Sequence, residues 1–185
     1  MHRKPLLDKL NAYQPIDAED AQIHQRFIEF VNQHEDCFER SLKAGHITGS
    51  AWLVDDTGQS VLLTHHRTLD IWVQLGGHCD GNPDTLAGAM REAQEESGIL
   101  ELAPLSQEIF DLDIHPIPAR GHEPAHFHYD VRYLMQTQGN TQFVVSEESH
   151  NLAWIPMDQL AKYTQEAALH RMKRKWQTQF QSLSR

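Results

Sequence analysis

The stretch that most constrains the fold is IWVQLGGHCDGNPDTLAGAMREAQEESGI, residues 71–99. It reads as a short apolar strand running into Gly76-Gly77, then a loop, then a helix closed by another glycine. Asn82-Pro83-Asp84 carries helix-start chemistry. Asn accepts a bond from a free N–H, proline suits the first helical position, and Asp suits the positive end of the dipole. Gly98 suits a left-handed stop. The helix is therefore expected over about 83–97. At about 100° per residue, Leu86, Ala89, Met90, Ala93 and Ser97 form a stripe to bury, and Glu92, Glu95 and Glu96 fill the neighbouring arc. These glutamates stand at i, i+3 and i+4, so their side chains are neighbours. Like charges at that spacing cost only ~0.2–0.5 kcal/mol on an exposed helix. A solvated acidic face and a cation site both fit the spacing alone. The flanks favour the cation. Gly76 and Gly77 let backbone groups approach a ligand, and Arg91 can brace the loop or a carboxylate with its planar fork. Carboxylate oxygens are the ligands that Mg²⁺ and Mn²⁺ prefer.

The rest of the chain sets this unit among strands. Residues 4–42 read as helical, with Asp17 as a cap before the stripe Ile23, Phe27, Phe30 and Val31. ITGSAWLVDDTGQSVLLTHH (47–66) reads as two strands joined at Asp55-Asp56-Thr57-Gly58. EIFDLDIHPI (108–117), HFHYDVRYLMQ (126–136), TQFVV (141–145) and LAWIP (152–156) are further strand candidates. From Met157 the tail is helical, with Leu169, Met172, Trp176, Phe180 and Leu183 on one face. A helical arm, strands, one helix, more strands and a final helix point to an α/β (α+β) sandwich with helices covering a mixed sheet, not a regular βαβ repeat.

Composition narrows the function. The 185 residues fit one domain with an appended helical segment. A net charge of −10 argues against a nucleic-acid polymer as partner, yet leaves room for a small phosphorylated substrate held through metal ions. There is no apolar leader and no run approaching a membrane span. Cys37 and Cys79 form no CxxC, which fits a reducing, cytoplasmic setting.

GGHCDGNPDTLAGAMREAQEESGI (76–99) resembles the Nudix box, G-x5-E-x7-R-E-U-x-E-E-x-G-U with U apolar. Gly77 matches the first glycine, and Arg91, Glu92, Ala93, Glu95, Glu96, Gly98 and Ile99 match the second half in register. Eight of nine named positions agree, and the departure is Pro83 where the pattern has its first Glu. Asp80 or Asp84 could stand in for it. The resemblance implies a Nudix-type α/β/α sandwich over residues 45–185, with 1–44 as a helical arm, and a hydrolase that cleaves a diphosphate linked to another group. It implies that Glu92, Glu95 and Glu96, with the carbonyl of Gly76, hold Mg²⁺ or Mn²⁺, and that one glutamate, such as Glu95, takes a proton from the attacking water. Two other readings stay open: a nucleotide-binding module without turnover, and a prenyl-diphosphate isomerase-like enzyme, which would want a reactive cysteine. Many Nudix proteins dimerise, so a homodimer built through the arm is one arrangement open to this chain.

Two further segments bear on the site. In HFHYDVRY (126–133), His126, His128, Asp130 and Arg132 share one face and Phe127, Tyr129, Val131 and Tyr133 the other. The polar face can be a plain wet face, or a pocket wall on which Arg132 pairs with phosphate and His126 or His128 bonds phosphate or sugar. It can also be a separate transition-metal site, which His115 and His122 could join. In SEESH (146–150), Glu147 or Glu148 is either part of an exposed acidic loop or, by the same resemblance, the general base. The group beyond the diphosphate is not legible: Pro116 lies near a proline seen in some ADP-ribose hydrolases, without the surrounding motif.

Overall fold

The computed structural model describes residues 2–67, 69–146 and 149–183, with side chains as far as Gln179. Two helices open the chain, α1 (Lys4–Ala12) and α2 (Ala18–Gln33). Asp17 caps α2, its Oδ1 accepting from the Asp20 N–H at 2.9 Å. Then come β1 (Gly45–Val54), β2 (Ser60–His66), β3 (Ile71–Val73), β4 (Leu75–His78), α3 (Thr85–Ser97), β5 (Leu102–Pro104), β6 (Asp111–Ile117), β7 (His126–Thr137) and β8 (Ser149–Pro156). A 3₁₀ turn (Met157–Lys162) and α4 (Ala167–Leu183) close it.

Among the described residues the eight strands make one mixed sheet. β1 runs parallel to β7 from Gly45↔Phe127 to Val54↔Gln136, and antiparallel to β4 and β2. β6 and β5 pair with β7, while β3 and β8 pair with β2. Every residue of β1 is buried, as expected of a strand covered on both faces. Its side chains alternate between two cores. Ile47, Ala51 and Leu53 meet Leu10, Phe27 and Phe30 of the first two helices and Ala89 and Ala93 of α3. Trp52 and Val54 meet Leu169, Met172 and Trp176 of α4. The result is helices on both faces of a sheet, the expected sandwich.

α3 sits directly on β1 because Gly49 has no side chain. A Cβ there would stand 2.8 Å from the Thr85 carbonyl oxygen. The α4 side of the sheet carries a buried charge network instead of a purely apolar layer. Arg132 pairs with Asp130 (2.7 Å), Asp111 (3.2 Å) and Asp113 (3.2 Å). Arg171 reaches Asp111 and Asp113, and Lys175 bridges Asp111 and Asp20. Such a network stands only because each charge has partners; a lone buried ion would not be tolerated.

Three expectations are corrected. TQFVV (141–145) is not a strand: the Val144 N–H goes to the Ser97 carbonyl, and the Thr141 carbonyl accepts from the Trp154 indole, so the segment lies over the end of α3. β5 was not expected, being three residues long and ending in Pro104. α3 starts at Thr85 with Asp84 as its cap, so Pro83 precedes the helix and is not its first residue. Phe180 and Leu183 lie outside the described side chains. No helix is long and apolar enough to cross a membrane among the described residues.

Candidate metal-binding active site

The site is built where β4 hands the chain to α3. β4 pairs with β1 through Thr48↔His78, Gly49↔Gly77, Ser50↔Gly76 and Ala51↔Leu75. The two glycines are adjacent, so they turn to opposite faces. At Gly76 a Cβ would stand 2.2 Å from Ser50 Oγ. At Gly77 it would stand 2.5 Å from the carboxyl carbon of Glu92. At Gly76 the crowding includes the Ser50 backbone and demands glycine, whereas at Gly77 the space saved is filled by a movable carboxylate of α3.

α3 is positioned by its ends. Asp84 Oδ1 accepts from the Ala87 N–H at 3.0 Å, and Asn82 Oδ1 accepts from the Asp84 N–H at 3.0 Å. Gly98 adopts a left-handed φ of 71° and donates to the Gln94 carbonyl, ending the helix directly after the acidic turn. Ala89 and Ala93 are fully buried, which aims the neighbouring arc of glutamates towards β4.

The three carboxylates have distinct environments. Glu96 is buried, 7% exposed, with Oε2 accepting from the Gly76 N–H at 2.9 Å. Glu92 is largely covered and meets Arg91 at 2.8 Å. Glu95 is the exposed member and is held by Arg91 at 2.9 Å. Arg91 also donates to the His78 carbonyl at 2.8 Å, so one guanidinium ties two glutamates to β4. The donor set fits a hard divalent cation. Carboxylate oxygens beside the Gly76-Gly77 backbone are the kind of donor that Mg²⁺ and Mn²⁺ take.

Pro83 supplies no carboxylate, and neither proposed stand-in is spare. Asp84 caps α3, and Asp80 is clamped by the Arg40 guanidinium, Nη2 to Oδ2 at 3.1 Å. That clamp holds the Asp80 carboxyl below its usual range.

The substrate-binding expectations fare unevenly. Arg132 is 2% exposed, with Asp111, Asp113 and Asp130 around its guanidinium, so its donors are directed into the protein and not at a phosphate. The alternation of β7 holds, but at Arg132 its polar face is closed by Asp111 and Asp113 of β6, themselves held by Arg171 of α4. His126 and His128 lie on that same face, away from the one Gly77 turns to Glu92, and pack against His46 with ring centroids 4.9 Å apart in each case. His115 adjoins His128, centroids 5.5 Å apart, while His122 is exposed in the loop before β7. Glu147 and Glu148, the expected alternative bases, lie outside the described residues. Cys79 is buried, and burial pushes its thiol up to about 12, away from the reactive thiolate that isomerase chemistry would want. A cavity of about 540 Å³ lies elsewhere, between the end of α1 and α4, and touches none of the box residues. Sequence reading missed His46 and His78. His78 directly follows the glycine pair and was the available signal, whereas His46 is brought in only by the β1–β7 pairing.

Comparison with known proteins agrees with this architecture. A family model described as NUDIX domain matches residues 46–176. No curated protein matches the chain. Among solved structures, an Ap4A hydrolase from C. elegans is similar at 18% identity, covering 74% of this chain and 98% of its own, with a TM-score of 0.61. A NUDIX-family hydrolase from Clostridium perfringens is similar at 22% identity, covering 72% and 97%, with a TM-score of 0.54. The dihydroneopterin triphosphate pyrophosphohydrolase of E. coli is similar at 16% identity, covering 69% and 92%, with a TM-score of 0.55. At these identities the likeness is one of fold.

Proposed function

The chain belongs to the NUDIX domain family of hydrolases, and from that footing we propose that it is a divalent-metal-dependent pyrophosphohydrolase. Its substrate is a nucleoside-diphosphate conjugate or another small molecule with a diphosphate linkage. One observation carries this reading: the acidic flank of α3 closes on Gly76-Gly77, with Glu92 in the space that Gly77 leaves and Glu96 bonded to the Gly76 N–H.

Glu92, Glu95 and Glu96, with the Gly76 carbonyl, would hold Mg²⁺ or Mn²⁺. Bound there, the cations would offset the charge of a diphosphate and acidify a water for attack on phosphorus. Arg91 fixes the orientation of Glu92 and Glu95 from its anchor on the His78 carbonyl. In this reading Glu95, the most exposed of the three, accepts the proton released by that water.

The test is a panel of diphosphates with Mg²⁺ and with Mn²⁺, read as released phosphate or mononucleotide. The panel includes nucleoside-diphosphate conjugates, Ap4A and a pterin triphosphate, the last two chosen from the names of the fold relatives. Glu95→Gln and Glu96→Gln should each lower turnover about 100-fold or more, roughly 3 kcal/mol of transition-state stabilisation, with an unchanged circular dichroism spectrum. Unchanged turnover in both variants would remove the mechanism. Tight binding of a diphosphate with no release of phosphate would favour the binding-module reading.

A further inference from the structure

Three imidazoles converge on the α4 side of the sheet. His46 of β1, His78 of β4 and His128 of β7 place one ring nitrogen each within 4.8 Å of the others. They are the one such group of potential ligands among the described residues. The rings of His46 and His78 are 4.9 Å apart and those of His78 and His128 5.1 Å. A second observation is independent of this spacing. His46 is 3% exposed, yet neither its Nδ1 nor its Nε2 has a hydrogen-bond partner. A buried neutral imidazole carries one donor and one acceptor, and leaving both unused is costly unless something occupies the acceptor.

From this we infer that His46, His78 and His128 form a transition-metal site of the Zn²⁺ class, separate from the carboxylates of α3. Imidazole suits Zn²⁺, Co²⁺ and Ni²⁺, whereas the hard Mg²⁺ prefers oxygen. Ligand nitrogens about 2.0–2.1 Å from a tetrahedral Zn²⁺ are about 3.4 Å apart, so small side-chain rotations close the present spacing. His126 stands at the rim, its ring 4.9 Å from that of His46 and its Nδ1 2.9 Å from the Pro124 carbonyl. Such a carbonyl contact fixes the tautomer that carries its proton on Nδ1 and leaves Nε2 as the acceptor. Asp130, on the same face of β7, is excluded, because Thr48, Ser50, Gln74 and Arg132 surround its carboxylate.

The three ligands sit on three strands, and His78 directly follows Gly77. An ion there ties β4 to β1 and β7 at the point where β4 meets α3. The two metal sites are therefore distinguishable by ligand chemistry and by sheet face.

The test uses the full chain, stripped with a chelator and titrated with Zn²⁺ against a chromophoric competitor, with Co²⁺ as a spectroscopic probe. The wild type should take up one Zn²⁺ per chain at this site, give a visible Co²⁺ spectrum of a tetrahedral nitrogen-rich site, and melt at a higher temperature with Zn²⁺ than without. His46→Gln should weaken Zn²⁺ binding more than about 100-fold, beyond the loss typical of a supporting residue, and abolish the Co²⁺ spectrum. Should His46→Gln fold poorly, His78→Gln, at a partly exposed position, must show the same loss. Glu92→Gln and Glu96→Gln must retain both signals. Zn²⁺ binding unchanged in the histidine variants, or lost only in the glutamate variants, would overturn the assignment.

Discussion

Single atoms decide the geometry at Gly77. A methyl group there would stand 2.5 Å from the Glu92 carboxyl carbon, and the side chain, not the backbone, is what would yield. Gly77→Ala should therefore displace a metal ligand by the order of an ångström and lower kcat about 100-fold, while leaving the melting temperature nearly unchanged. Wild-type turnover in that variant would contradict the role given to Glu92. The glutamates were legible in the sequence because a helix places i, i+3 and i+4 together without help from the rest of the fold. His46 and His78 were not, because only strand pairing brings them to His128. Arg132 was assigned to the right face of β7, but the alternation of a strand does not say which face stays wet. Here Asp111 and Asp113 of β6 and Arg171 of α4 close over it.

α3 is an element made by its ends as much as by its buried stripe. Asp84 satisfies an N–H that the helix leaves unpaired, and Gly98 stops the chain before the acidic flank could wind away from β4. Asp84→Ala should destabilise the protein by about 1 kcal/mol, seen as a lower denaturant midpoint with an unchanged slope. No change would mean that Pro83 and the Asn82 turn suffice to start the helix. The start itself was misread by two residues because Asn, Pro and Asp in a row each carry helix-start chemistry, and only the observed bonds separate the cap from the turn before it. TQFVV has strand-forming residues, yet its backbone and a carbonyl are taken by Ser97 and Trp154, so tertiary contacts override propensity.

Across the whole molecule, the sandwich was readable from the order of its elements, whereas the charge network beneath α4 was not. Asp20, Asp111, Asp113, Asp130, Arg132, Arg171 and Lys175 are scattered along the chain, and no local pattern announces that they meet. Arg132→Met should cost about 3–5 kcal/mol, or roughly 10 °C in melting temperature, because it strands buried carboxylates. Burial alone would raise the Asp113 carboxyl, but Arg132, His115 and Arg171 more than offset it and hold it well below the usual range. Burial likewise raises Asp20, and Lys175 and Tyr13 reverse it. Both pKa values are thus depressed in the folded state, so their stabilisation is complete above the unfolded value of about 4 and is lost as pH falls below it. Stability in wild type should drop on that acid limb, and the drop should be shallower in Arg132→Met. An identical limb in both would show that the network does not set it. The central claim, that α3 and Gly76-Gly77 anchor divalent cations, is tested most directly by anomalous diffraction from crystals soaked in Mn²⁺ with a non-hydrolysable diphosphate. The expected result is a peak beside the carboxylates of Glu92 and Glu96 and the Gly76 carbonyl; no peak there, or Mn²⁺ only among the imidazoles across the sheet, would contradict it.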